Sequence, residues 1–506
     1  MSGDSHPTRP LGGVQLAAVG TTASWALLSL ALVSVSVRPV VDATSLPRLF
    51  VNLDALLLPV GATVVLGMAA LAWPRLPALH KALTVVAALL ALSMTVSWLI
   101  ASPRSVASLG LGGSVLLLLP IALYVAVMAT LHTPVTLLRR ALVFMVLVQL
   151  TVGLIQYVAL AVAQKAPAGA DLVDGTTSHN FWPVFALPAS MVLVLVTRDR
   201  LRFLWPLTVI VLAVYAEAKA ALLIWLPTMA LVLGWDAIRS SRRTAPPAAD
   251  PGSGRDGIDM ATRTGLVLAA TATVVIGMWW TPSVQGTWSV LRGHTQALER
   301  FAVAGTGGDA AAPTLRDAAT AVSTEVTADP LSAMFGEGPG NTTSHAAEVL
   351  AQGAKNGVSL PEPGPLATEL LTGADEIKFR DAQSSVLGVW GDLGSMGALL
   401  YLLLCAGCAY ALFRDAAPAA RWGNPRAWAA PMIVAGLLAG GTLLDWPEQA
   451  SVVLPVLLAA LVLVSPSVPS FQGERSDRLV RQEPLVGAGD PLSKVDLGLP
   501  AEVSDP

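Results

Sequence analysis

The chain has 506 residues, 54% hydrophobic and 13% charged, and its 31 Lys and Arg against 34 Asp and Glu leave a formal net charge of −3. The apolar residues come in runs about twenty long rather than in stripes of helical period, which excludes a soluble globular domain and a disordered chain. No basic face is visible in the pattern, so nucleic acid is excluded as a partner.

In chain order, spans are predicted over residues 14–37, 51–73, 82–101, 107–131, 141–164, 181–197, 203–216, 220–236, 264–281, 388–413, 428–444 and 450–466. That is an all-α, polytopic membrane bundle of about twelve transmembrane helices, with the 203–236 stretch tight for two crossings. The first span has no basic stretch before it and no small-x-small cleavage site. It is long enough to cross, so it reads as an uncleaved anchor.

Arg and Lys are retained on the cytoplasmic side of short loops, which sets the orientation. With the N-terminus inside, the cytoplasmic loops hold Arg75 and Lys81; Arg139 and Arg140; Arg198, Arg200 and Arg202; Arg239, Arg242, Arg243, Arg255 and Arg263; and Arg414, Arg421 and Arg426. The short loops on the other side are poorer, with Arg38, Arg48, Arg104, Lys165 and Lys219 spread among them. The expectation is a bacterial plasma-membrane protein with both termini cytoplasmic. Its parts are a disordered N-terminus (1–13), nine spans (14–281), a large extracytoplasmic loop (282–387), three spans (388–466) and a disordered tail (467–506).

The outer loop carries its own helix signals. Thr314 can cap a helix that Asp329-Pro330 ends, Thr343 or Ser344 can cap a second, and Pro365 can open a third, giving a helical extracytoplasmic domain. Within it, Gly336-x-Gly338-x-Gly340 can bring backbone amides close to a phosphate, although Pro339 removes one donor. No strand precedes these glycines, which excludes a dinucleotide fingerprint. His345 is a candidate base or hydrogen-bond partner. Lys219, in Ala216-Glu217-Ala218-Lys219 at an outer turn, either faces a polar cavity or snorkels to the interface and pairs with Glu217. Cys405 and Cys408, one turn apart in an apolar span, read as small apolar residues. The outer segments hold no Asp-x-Asp and no clustered His and Asp, so no metal and no cofactor is expected.

The order Arg316, Pro330-Leu331, Gly336-x-Gly338-x-Gly340, Asp381-Ala-Gln-Ser-Ser385 and Gly391-Asp392-Leu393-Gly394 resembles the O-antigen ligase and Wzy-type polymerase family of membrane glycosyltransferases. Upstream, Gly153-Leu154-Ile155-Gln156 followed by Asp174-Gly-Thr-Thr-Ser-His-Asn180 extends the resemblance, which covers roughly residues 140–440. It implies a metal-independent, inverting transfer of a glycan from a polyprenyl-pyrophosphate donor to an acceptor glycan or glycolipid on the extracytoplasmic face. Membrane lipid and other polysaccharide-assembly proteins would be its further partners.

By the same resemblance Arg316 falls at a pyrophosphate-contacting arginine. Lys219 stands where the family usually has Ser-Arg, keeping the charge and losing the bidentate fork. Arg380 would assist, and Asn180 would cap the following span. Asp392 matches a usual Glu and is either a substrate contact or a partner for Arg380. Gln383-Ser384 replaces a His-Asn pair. Gln cannot accept a proton, so His345 takes that place, or Glu337 or Asp381 does, or the chemistry needs no strong base, or the chain is a non-catalytic assembly factor. His179 and Asp174 are weaker candidates. A transporter is the third class, and it would be expected to show inverted repeats and broken midplane helices, which the pattern does not display.

Overall fold

A computed structural model describes residues 11–43, 53–101, 106, 108–162, 175–177, 181–197, 204–216, 219–243, 315–342, 344, 346–347, 350, 385–421, 425–443 and 450–464. Among these there is no strand. The helices are α1 (Leu11–Ala43), α2 (Leu53–Leu71), α3 (Ala78–Ile100), α4 (Gly113–Leu116), α5 (Leu118–Ala129), α6 (Val135–Val162) and α7 (Trp182–Val196). They continue with α8 (Leu204–Tyr215), α9 (Lys219–Arg243), α10 (Leu315–Ala328), α11 (Pro330–Phe335), α12 (Ser385–Arg421), α13 (Ala429–Leu443) and α14 (Ala450–Val464).

Among the described residues four helices are long and apolar enough to cross a membrane: Val14–Val37, Ala78–Ile100, Val135–Ala159 and Leu387–Arg414. A bent pair, Ser108–Leu116 with Leu118–Ala129, makes a fifth if it is one span. The remaining apolar helices among the described residues are shorter, and packing explains how two of them are accommodated. Nearly every residue of α7 and α14 is buried, as is every residue of α5, so these helices meet neighbouring helices rather than lipid along their length. Around them α3 shows the opposite pattern: Leu83, Ala87 and Leu90 face inward while Val85, Leu89, Leu92 and Leu99 are exposed. An apolar outer surface of this kind is what a lipid-facing helix presents. The predicted span over 264–281 lies outside the described residues.

The 107–131 segment departs from expectation, because it is broken rather than continuous. A π-helical turn, Ser108–Gly112, leads into α4, and α4 and α5 meet at a 64° bend. Pro120 supplies the reason: it has no N–H for the Leu116 carbonyl, and its ring crowds that carbonyl, so the helix cannot run through Leu117. Gly110, Gly112 and Gly113 remove the side chains that would stiffen the preceding turn.

The helix ends can be sorted by contact. α3 and α12 run antiparallel: Leu83 packs at Gly407, Ser93 at Gly397, and the Ser97 hydroxyl donates to the Asp392 carbonyl at 2.6 Å. The start of α12, the end of α3 and the start of the broken segment therefore share one end of the bundle. At the other end lie the α2–α3 turn, with Lys81 Nζ 5.9 Å from the Trp73 ring, and Phe413 tilted against Trp428 with ring centroids 4.9 Å apart. There too the His132 carbonyl accepts from the Ser24 hydroxyl in the first half of α1. Arg75, Lys81, Arg139, Arg140 and Arg414 all belong to this second end by their place in the helices.

Candidate functional site

The described part of the segment between α9 and α12 begins with α10 and α11. Asp329 ends α10 and caps α11, its carboxylate accepting from the backbone amides of Leu331 (2.9 Å) and Ser332 (3.2 Å). Pro330 sits in the first turn, where its missing N–H costs nothing. Asp329-Pro330 thus ends one helix and also opens another. α10 and α11 both pack on α12, and α11 reaches α3.

After α11 the chain turns through three glycines with positive φ, Gly336 (76°), Gly338 (95°) and Gly340 (81°). This loop closes on Gly391-Asp392. Gly394, at φ 66° and ψ −171°, interrupts α12, so the carbonyls just before it are free to bond outside the helix. Glu337 N–H donates to the Gly391 carbonyl (2.9 Å), and Gly338 N–H to the Asp392 carbonyl (3.0 Å). The Asp392 side chain is fully buried and accepts four hydrogen bonds. One oxygen takes Gly340 N–H (2.8 Å) and the Ser344 hydroxyl (2.6 Å); the other takes Thr342 N–H (3.0 Å) and the Thr342 hydroxyl (2.6 Å). Asn341 braces the turn from within, its amide donating to the Glu337 carbonyl at 2.7 Å.

The amides that were expected to approach a phosphate are therefore spent on the protein itself. Gly338 and Gly340 serve Asp392, and Asp392 serves the loop. Neither oxygen of that carboxylate is left for a sugar, and its partners among the described residues are the loop donors. The broken segment completes the seat: a Cβ on Gly112 would lie 3.4 Å from the Pro339 carbonyl oxygen, and Leu111 and Val115 pack with Ala346 and Leu350.

Glu337 projects from this pinned backbone and is half-buried. Burial pushes its carboxyl above the usual Glu range, a hydrogen bond with Ser332 pulls it back, and the charges of Glu325 and Asp329 push it up again. A raised carboxyl pKa favours the protonated folded state. That contribution is fully present below the ordinary Glu value and is lost as pH rises through the raised one.

A second polar latch lies at the same end of the bundle. Gln149, wholly buried in α6, accepts from Thr176 N–H (2.9 Å) and donates to the Thr176 hydroxyl. Gln156, two turns along the same face, accepts from Gly175 N–H at 3.0 Å, with Gly175 at φ 59°. The two upstream pieces of the resemblance, Gly153-Leu-Ile-Gln156 and Gly175-Thr-Thr, are thus bonded to each other. Gln149 was missed in the sequence. Its signal was a lone amide in an apolar run, seven residues before Gln156.

Of the sequence candidates, Lys219 is the first residue of α9 and Arg316 the second of α10. α7 starts beside Gly175 at the loop end, so the α7, α8, α9 alternation returns Lys219 to that end. His345, Arg380, Gln383, Asn180, His179, Asp174 and Asp381 lie outside the described residues. One expectation is corrected: the N-cap position of α7 is Phe181, with no side-chain cap, because Pro183 in the first turn sets the start one residue beyond Asn180. Cys405 and Cys408 are free thiols buried among Leu404, Ala411 and Leu412, as two small apolar residues would be.

No protein-family model and no curated protein matches this chain.

Proposed function

We propose that the protein is a membrane glycosyltransferase that moves a glycan from a polyprenyl-pyrophosphate donor to an acceptor sugar on the extracytoplasmic face, as a polymerase or a ligase, from a bundle of about twelve crossings. The observation that carries this reading is the bonding of Gly336–Thr342 to Gly391–Gly394. Two family-like motifs far apart in sequence are halves of one built unit, and α10, which holds Arg316, packs on the same helix. Chance glycine motifs have no reason to be complementary to each other.

In this reading Lys219 and Arg316 supply positive charge to the departing pyrophosphate, where developing negative charge needs fixed cations. Arg380 assists them. His345, next in sequence to latched Ser344, orients the acceptor hydroxyl, and Glu337 is an alternative carboxyl that could take a proton. Asn180 follows in sequence the Gly175-Thr176 turn that Gln149 and Gln156 hold, and is assigned to the donor side by the resemblance.

A second reading, a non-catalytic assembly factor, is favoured by one observation: Gln383-Ser384 stands where the family has His-Asn, and Gln holds no titratable proton. The break at Leu117 is the feature a transporter would share. Its flanking turn is filled by the loop at Pro339 and Leu350, which favours a seat over a passage.

The reading requires the loop to face outward. A thiol introduced at Ser359 is expected to react with an impermeant maleimide added to intact cells, and one at Ser253 to react only after the membrane is opened. The reverse pattern would turn Arg316 and His345 to the cytoplasm and end the proposal.

A further inference from the structure

We infer that Asp392 is the positioning residue of the outer loop: its carboxylate is the resident anion of a nest built by Gly340, Thr342 and Ser344, and it locks that loop onto the ends of α3 and α12. Successive amides in a glycine-rich turn make a concavity that binds anions. Here Gly340 N–H, Thr342 N–H and the hydroxyls of Thr342 and Ser344 converge on one buried carboxylate from within the same chain. A carboxylate inside an apolar helix persists only when fully satisfied, and this one is, with two donors on each oxygen. A group with no free lone pair cannot also hold a sugar, so any effect of Asp392 on reaction passes through what it holds.

What it holds is the glycine-rich turn between α11 and Ser344. The backbone of Asp392 takes Gly338 N–H from the loop and the Ser97 hydroxyl from α3, so three elements meet at one residue. Ser344 carries the lock onward: its oxygen also accepts from Ala347 N–H at 3.3 Å, opening the helical turn that flanks His345. Asn in place of Asp would keep the shape, but its NH₂ would face either Gly340 N–H or Thr342 N–H, donor against donor.

The test uses the full chain in native membranes with Cys405→Ala and Cys408→Ala, and a single reporter thiol at Ala346→Cys, a position buried under the loop. The parent reporter is expected to resist an impermeant maleimide. Asp392→Ala should raise its labelling rate about tenfold or more, since charge-assisted hydrogen bonds are the strong ones. Formate, which can occupy the vacated nest, should restore protection, while chloride at the same ionic strength should not. Labelling unchanged by Asp392→Ala, or equal effects of formate and chloride, would overturn the inference, since a general loss of packing has no reason to respond to a carboxylate. Should Asp392→Ala fail to insert, Thr342→Val and Ser344→Ala each remove one donor and are expected to raise labelling about threefold; no change in either overturns it.

The link to activity rests on the transfer reading, whereas the labelling does not. If the parent protein transfers glycan, Asp392→Ala should lose transfer and regain it with formate. Wild-type transfer from an unlocked loop would overturn the positioning role and leave the transferase reading standing. A parent that transfers nothing would sink the transferase reading while labelling still decides the lock.

Discussion

Lys219→Ala and Arg316→Ala are each expected to lower glycan transfer by about a hundredfold or more with protein level and membrane insertion unchanged, because a preorganised charge at a departing phosphate is among the largest single contributions to a transfer reaction. Both residues belong to the end of the bundle where the loop is seated, one opening α9 and one in the first turn of α10. Lys219→Arg should retain or raise activity, since it keeps the cation and adds the planar fork that matches phosphate oxygens. His345→Ala should lower turnover with little change in donor binding, as a group acting on the acceptor stabilises the transition state rather than the bound donor. Transfer rates in membranes, normalised to protein, measure all four. Full activity in both alanine variants would refute the cation role.

Gly394→Ala is expected to be strongly destabilising. Gly394 lies at φ 66° and ψ −171°, a region essentially restricted to glycine. A Cβ there would sit 2.4 Å from Gly336 N and 2.5 Å from Phe335 N, backbone atoms that cannot swing aside. The opposing glycine is equally constrained, since a Cβ on Gly336 would sit 2.4 Å from the Asp392 carbonyl carbon. Strain and clash together should cost about 3 kcal/mol or more, a large share of a membrane bundle's stability. Gly67→Ala is the control, for its Cβ would meet nothing within 4 Å and its helix gains propensity. Thermal unfolding of the purified proteins in detergent should separate the two by many degrees. Equal midpoints would mean that the two glycines do not meet as they stand here.

How much of this was legible in the sequence depended on the physics behind each feature. Long apolar runs fixed the helices directly, since a run the length of the hydrocarbon core has few other fates. Eleven of the twelve predicted segments hold helix in the described residues, whereas by length and composition four helices, or five, are individually able to cross. The break at Leu117 was readable in principle from Pro120 and three nearby glycines, but the surrounding Leu and Val carried the hydropathy signal across it. The glycine motifs posed a different problem. Gly336, Gly338, Gly340 and Gly394 announce unusual backbone or close approach, and nothing local says what approaches. A phosphate was the expected visitor; the structure puts the Asp392 carboxylate there instead. Asp392 itself was read as a contact or as a partner for Arg380, because its four donors lie some fifty residues upstream and are backbone and hydroxyl groups that leave no charge pattern.

The most direct measurement is a reaction with purified protein reconstituted in lipid and the polyprenyl-pyrophosphate-linked glycan of its own cells. The account predicts release of polyprenyl pyrophosphate with formation of a longer or newly attached glycan of inverted anomeric configuration, lost in Arg316→Ala. No release with any lipid-linked glycan of that pathway, from protein whose Ala346→Cys reporter shows the loop seated, would contradict it.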